Sequence, residues 1–488
     1  MADAALPAAR SAGASHADLR VHRLTSQSLR LREGEVQSVV DSSELGFAVR
    51  VLVDGTWGFA SHAELTPETA VATTEEAVAV ARALRGLNRE HVELAAEPVY
   101  TNVHWVSDYE VDPFEVPTAD KISLLGDYSR TLLASDGVDH VTADCLQVKE
   151  QTFYADLAGS SIVQQRVRLH PQLEATTVDQ SAGVFDTMRT LAPPVGRGWE
   201  YLAPDDVWNW SAELAQIPDL LAEKVKAPTV VAGPTDLVID PTNLWLTIHE
   251  SIGHATEYDR AIGYEAAYAG TSFATPDKLG TLRYGTPIMH VTADRTVQHG
   301  LATTGYDDDG VQAQSWDLVA DGVLVGYQLD RAFAPRLGLS RSNGCSYADS
   351  PHHVPIQRMA NVSLQPDPVT DRSTDDLISG VEDGIYVVGD KSWSIDMQRY
   401  NFQFTGQRFY RIRGGRLDGQ LRDVAYQATT TDFWGSMDAV GGPSTWQLGG
   451  AFNCGKAQPG QVAAVSHGCP SALFRGINVL NTRTEAGR

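Results

Sequence analysis

The run LTIHESIGHATEYDR, residues 246–260, restricts the local fold more tightly than any other stretch of this chain. It places His249 and His254 five residues apart, with Glu250 directly after the first. On a regular α-helix, residues four apart lie within about 40° of one another, whereas residues five apart are turned by about 140°. Helices of the H-E-x-x-H type use the four-residue step to aim two imidazoles at one ion, at about 2.0–2.1 Å from each nitrogen. If both histidines serve one metal, a straight helix is excluded. Two devices absorb the additional residue. A π-bulge returns His254 to the face of His249, or the helix opens at Gly253, the residue most tolerant of unusual dihedrals.

The segment carries its own start signal. Asp240 is placed to cap and Pro241 to fill the first helical position ahead of TNLWLTIHE, so His249 and Glu250 are expected inside a helix. A histidine pair beside a glutamate also occurs as ordinary hydrogen-bonded core, so a third ligand decides between the readings. Cys454, in QLGGAFNCGKAQPGQ, has glycines close on both sides that let backbone approach a partner. A thiolate completing a two-histidine set suits zinc. His467, beside Cys469, is the second choice, while Cys469, Cys345 and Cys145 read as small buried hydrophobes. Four cysteines in 488 residues make no disulfide framework.

The rest of the chain reads as an α+β protein. The stretches LRVHRLTSQSLRLREGEVQSVV and GFAVRVLVDGTWGFAS alternate apolar and polar residues as strands do, and Asp54-Gly55 marks a hairpin. Thr66 and Pro67 start a helix over ETAVATTEEAVAVARALR, and a second is expected over TADKISLLGDYSRTLLAS. Strands follow from Val141 to Thr177, then a helix near DDVWNWSAELAQIPDLLAEKVKA. The proline- and glycine-punctuated KAPTVVAGPTD is the expected crossing between a mixed α/β domain, 1–227, and a mainly antiparallel β domain, 228–488, that carries the motif helix. DDDG at 307–310 lacks the remaining ligands of a calcium loop and reads as a turn.

Acidic residues outnumber basic ones 62 to 38, a formal charge of −24, which argues against nucleic acid or an anionic membrane as partner. No apolar run approaches the roughly 18 residues of a membrane span, and the alanine-rich start lacks a signal-peptide core, so a cytoplasmic setting is expected.

Taken together these motifs resemble the TldD/PmbA metalloproteases. HESIGH is similar to the family's H-E-x-x-x-H, with Glu257 and Asp259 following. YDDDGVQAQSWDLVADGVLVGYQLDR, HHVPIQRMANVSLQPD, FNCGKAQPGQ and the N-terminal hairpin each resemble a family segment, so the likeness runs nearly the length of the chain. VSHGCPSALFRG and GDKSWSIDMQRYNFQF depart from the best-known enterobacterial pattern. The resemblance implies one zinc ion per chain held by His249, His254 and Cys454, with Glu250 as catalytic acid and base. It also implies hydrolysis of unfolded peptides, and a dimer with a motif-less paralogue, or alternatively a homodimer. Tyr258, His290 and Arg358 are candidates to stabilise the oxyanion. Two rival readings are an amide hydrolase that matures a peptide natural product and a non-catalytic assembly subunit with a structural metal.

Overall fold

The computed structural model describes residues 1–488 apart from 89, 181–182 and 486–488. The chain is α+β, with a mixed α/β first half and a β-rich second half. In the first half, helix α1 (Ala2–Ser11) precedes strands β1 (His16–Arg32), β2 (Glu35–Val53) and β3 (Thr56–His62). Helix α2 (Pro67–Leu84), strand β4 (Val103–Val106) and helix α3 (Thr118–Leu133) follow. Strands β5 (His140–Asp156), β6 (Ser161–Asp179) and β7 (Val184–Arg189) then lead to helix α4 (Trp210–Lys226). The seven strands form one sheet in the order β3-β2-β1-β5-β6-β4, with β7 added beside β6.

Local chemistry explains most of this. Asp54 and Gly55 both take positive φ, 50° and 71°, as the expected two-residue turn requires. Thr66 caps α2 by accepting from the Thr69 amide, and Pro67 follows at the first position. Helix α1 lies outside the expectations above. Its apolar face is alanine, with Ala5 and Ala9 fully buried, so helix propensity and close packing take the place of a conspicuous apolar stripe.

The second half opens with β8 (Gly233–Ile239) and helix α5 (Pro241–Ile248), and after α6 (Tyr258–Ala261) the strands become short. They are β9 (Val291–Asp294), β10 (Ser315–Ala320), β11 (Val323–Leu324), β12 (Ser346–Tyr347), β13 (Ile356–Gln357) and β14 (Asn361–Leu364). Helix α7 (Thr374–Ser379) leads to β15 (Asp383–Ile395), β16 (Asn401–Arg413), β17 (Arg416–Leu421) and β18 (Val424–Thr429). Helix α8 (Thr430–Gly435) and β19 (Met437–Val440) are followed by β20 (Gln447–Lys456), β21 (Gln461–Cys469) and β22 (Ala472–Asn481). Strands β15-β8-β22-β18-β16-β17 make a second seven-stranded sheet with β19 beside β22, and only the β8–β15 pair is parallel. Strands β20 and β21 form a separate hairpin. One core runs through this half and includes Ile248 and Ile252 of the motif segment together with Cys454 and Cys469.

Charged side chains fasten the first sheet to the second half. Arg50 donates to Asp18 at 2.9 Å and to Asp309 at 2.6 Å, and Arg20 pairs with Asp308. The DDDG segment is a turn, as expected, but two of its acids are also partners of these arginines, the buried Asp309 and the partly buried Asp308. Among the described residues no helix is long and apolar enough to cross a membrane.

Candidate metal centre

Helix α5 begins as its sequence dictates, with the Asp240 carboxylate accepting from the Thr242 amide at 3.0 Å and Pro241 next in line. From His249 to Gly253 the helix widens into a π-turn, and the His254 N–H bonds the His249 carbonyl five residues back. Of the two devices open to the sequence, the chain takes the π-bulge. Gly253 keeps helical dihedrals, φ −52° and ψ −59°. Its lack of a side chain answers a steric need, because a Cβ there would lie 2.6 Å from Met359 Sδ. Three carbonyls of the irregular turn find side-chain donors: Tyr284 Oη bonds Ser251, Thr256 Oγ1 bonds Ile252 at 2.8 Å, and Gln328 Nε2 bonds Gly253 at 2.7 Å. A buried irregular turn needs such partners to persist.

The bulge brings the two imidazoles together, with ring centroids 4.6 Å apart. Cys454 arrives from β20, just past a bulge in its pairing with β21. One ligand-capable atom each from His249, His254 and Cys454 lies within 4.8 Å of the others, and all three residues are buried. Cys454 Sγ stands 3.6 Å from His254 Nε2. Zinc–sulfur and zinc–nitrogen bonds of about 2.3 and 2.0–2.1 Å in a tetrahedron put such a pair about 3.6 Å apart, so this pair has the spacing of two zinc ligands and the His, His, Cys donor types suit that ion. Burial pushes the Cys454 thiol up, but His254 and Arg358 outweigh it and leave the thiol below its ordinary range. That favours the thiolate a metal needs.

Each imidazole is backed on its far side. His254 Nδ1 lies 2.8 Å from the Glu257 carboxylate, which also accepts from Arg260 Nε at 3.0 Å and Lys456 Nζ at 3.1 Å. Lys456, itself buried, bonds Asp259 at 2.8 Å and both oxygens of Gln357. His249 Nδ1 lies 2.7 Å from His467 Nε2, and His467 Nδ1 lies 2.8 Å from the Val362 carbonyl oxygen.

Glu250 accepts from Arg399 Nη1 at 2.7 Å, and the Trp393 side chain also favours its ionised form. Burial raises its carboxyl, yet His254, His249 and Arg399 together hold it below the usual range, so it is ionised at neutral pH. Trp393 belongs to the wall of a cleft of about 260 Å³ between residues 189–194 and the outer edge of β20. Strand β20 pairs only with β21 among the described residues, so Gln447–Asn453 turn an unpaired edge toward that cleft. Gly449 lets this strand lie against Trp245, whose Cγ would be 2.3 Å from a Cβ.

The other residues singled out from sequence lie elsewhere. Cys469 Sγ contacts the Pro241 carbonyl at 3.7 Å, and its thiol, like those of Cys145 and Cys345, is pushed up by burial. His467 stands behind His249. Tyr258 packs on Tyr327 and Phe333, His290 sits beside Asp321, and Arg358 donates to the carbonyls of Cys454 and Gln461. Arg358 Nε is buried with no hydrogen-bond partner among the described residues, and the Arg358 charge helps lower the Cys454 thiol. Arg399, not singled out in the sequence, is the cation the fold delivers to Glu250.

Residues 232–481 match the model of the PmbA/TldA metallopeptidase C-terminal domain, and residues 17–81 match that of PmbA/TldA metallopeptidase domain 1. A protein from Methanothermobacter thermautotrophicus named as a metalloprotease is 29% identical over 467 residues, covering 96% of each chain. The metalloprotease TldD homolog of Haemophilus influenzae is 23% identical, over 96% of this chain and 93% of its own. The crystal structure of TldE from Thermococcus kodakarensis matches with a TM-score of 0.70 at 15% identity, covering 97% of this chain and 98% of that one, which establishes a common fold. The C-terminal family model spans half of the chain and every residue of the cluster, and the chain belongs to the PmbA/TldD family of metallopeptidases.

Proposed function

We propose that this chain is a zinc-dependent peptidase that hydrolyses unfolded peptides, with His249, His254 and Cys454 as ligands and Glu250 as acid and base. The observation that carries the reading is the convergence of two imidazoles and a lowered-pKa thiol within 4.8 Å of one another, with Cys454 and His254 at the spacing of two zinc ligands, beside an ionised glutamate. When bound, zinc supplies Lewis-acid polarisation of the scissile carbonyl and lowers the pKa of water toward about 7. Glu250 takes a proton from the attacking water as its oxygen bonds the carbonyl carbon. It returns that proton to the amide nitrogen as the C–N bond breaks. Arg399 keeps the carboxylate ionised and aimed.

An extended peptide is read by the free edge of β20, where backbone pairing gives affinity with weak side-chain preference. Fixing each peptide residue costs about 1–2 kcal/mol, so several edge hydrogen bonds are needed. The working unit is a dimer, with a motif-less paralogue as the first candidate. In support, among the described residues those at 35–46 of β2 pair only with β1 and expose Val36, Val39 and Val40, an edge that natural sheets cover or pair. The setting is cytoplasmic.

The test is purification of the chain with and without its paralogue, measuring zinc content and cleavage of one substrate protein in folded and denatured form. Cys454→Ala should lose zinc. Glu250→Gln should keep zinc and lose cleavage. Stoichiometric tight zinc in the first variant, or wild-type turnover in the second, would overturn the assignment. Equal cleavage of folded and denatured substrate by the isolated chain would overturn the preference for unfolded peptides and the dimer as working unit, and leave the zinc chemistry standing.

A further inference from the structure

We propose that His467 is a positioning residue that sets the tautomer of His249 and thereby the metal affinity of the site, an inference that rests on the ligand assignment above. A carbonyl oxygen can only accept, so the 2.8 Å contact from His467 Nδ1 to the Val362 oxygen puts a hydrogen on that nitrogen. His467 is fully buried, its ring lies parallel to Trp245, interplanar 9°, and its only other side-chain hydrogen-bond contact among the described residues is His249. No carboxylate pairs with it among the described residues, and a buried unpaired imidazolium is costly, so the ring is neutral. Its Nε2 therefore carries a lone pair. The 2.7 Å contact to His249 Nδ1 is then an N–H donated by His249.

With its hydrogen fixed on Nδ1, His249 keeps a lone pair on Nε2 for a metal. Val362, His467 and His249 thus form a relay that passes a tautomer choice from a backbone carbonyl to a ligand. His254 reaches the same end by different means, with the Glu257 carboxylate as the acceptor at its Nδ1. One ligand is oriented by an anion and the other by a neutral ring. The neutral relay aligns His249 without placing a second negative charge behind the site.

The experiment measures Zn²⁺ affinity by chelator competition in the wild-type chain, His467→Phe and His467→Gln. Phenylalanine keeps a ring against Trp245 and removes the acceptor. Glutamine restores an amide oxygen for His249 and an amide N–H for Val362. The expected result is a loss of about 10- to 100-fold in the phenylalanine variant, the usual effect of removing such a partner, and recovery of most of it in the glutamine variant. Melting temperatures of the metal-free proteins should stay close. A second readout needs no metal and no variant: ¹⁵N NMR of the metal-free wild type should find His249 protonated on Nδ1. Wild-type affinity in a folded His467→Phe protein, equal loss in both variants, or a His249 proton on Nε2 would each overturn the relay. Failure of the underlying ligand assignment has a different signature, a wild-type chain that binds no zinc.

Discussion

Arg399 Nη1 donates to Glu250 Oε2 at 2.7 Å, and it does so from a backbone held at φ 62°. The left-handed region costs a non-glycine residue roughly 1–3 kcal/mol and persists only where its surroundings impose it. Here the Asp396 carboxylate imposes it, accepting the N–H groups of Gln398, Tyr400 and Asn401. The turn between β15 and β16 is built to deliver one guanidinium to one carboxylate.

Arg399→Met should therefore keep zinc and lower turnover by about 10- to 100-fold, since a general acid and base that loses its aim forfeits much of its contribution. Methionine retains the aliphatic stem, so folding should be little affected. Zinc content and kcat measured on the same preparation decide the matter. An unchanged kcat would make Arg399 an element of the turn only.

Gly253→Ala should destabilise by about 1–3 kcal/mol, because its Cβ meets Met359 Sδ at 2.6 Å and Cε at 2.9 Å in a packed core. Met359→Ala alone leaves a cavity costing roughly 2–5 kcal/mol. The two changes should couple, with the double variant at least about 1 kcal/mol more stable than the sum of the single effects. Additive unfolding energies would place the glycine's role in backbone freedom instead.

These cases also show where sequence reading ends. The Asp240-Pro241 start, the Asp54-Gly55 turn and the irregularity between Glu250 and His254 were legible because each depends on neighbours a few residues away. Cys454 was legible only through its chemistry and family likeness, since it lies 200 residues from His254. The distant partners that back the site gave no local signal of whom they would meet, although His467 stood out beside Cys469. His467 is 218 residues from His249, Lys456 is 199 from Glu257, and Arg399 is 149 from Glu250. For Arg399 the single clue is a positive φ, which sequence does not display.

Asp330 offers a pH test remote from the metal centre. Burial, and then the charge of Asp309, push its carboxyl up to about 7. The folded chain thus retains a proton that the unfolded chain releases near pH 4. The corresponding stability is fully present below about pH 4 and is lost as pH rises through about 7. Asp330→Asn removes the titration and keeps an oxygen for the Ala332 and Phe333 amides, which it bonds at 2.9 Å. Asp330 keeps partial exposure, so the expected gain is held to about 1–2 kcal/mol at pH 8.5. The variant's advantage in melting temperature should widen from pH 5.5 to pH 8.5. An advantage that is constant or shrinks over that range would contradict the assignment.

Arg50, Asp18 and Asp309 bolt the first sheet to the second half. Arg50 donates to Asp18 through Nε and Nη2 at 3.0 and 2.9 Å and to Asp309 at 2.6 Å, and its guanidinium lies 4.5 Å over the Trp57 ring. All three charges are buried. Removing one partner of a buried ion pair leaves an uncompensated charge and costs about 3–5 kcal/mol, more than the pair itself contributes. Arg50→Met should therefore lower the melting temperature by several degrees. Asp309→Asn in the same background should recover part of that loss, because an amide needs no cation. Asp309 also accepts from the Arg331 amide at 3.3 Å through its second oxygen, a contact the amide can keep. Recovery distinguishes charge from packing: if the double variant is no more stable than Arg50→Met, the arginine acts through its contact with Trp57. Zinc content should stay at the wild-type level in both variants, since none of these groups touches His249, His254 or Cys454.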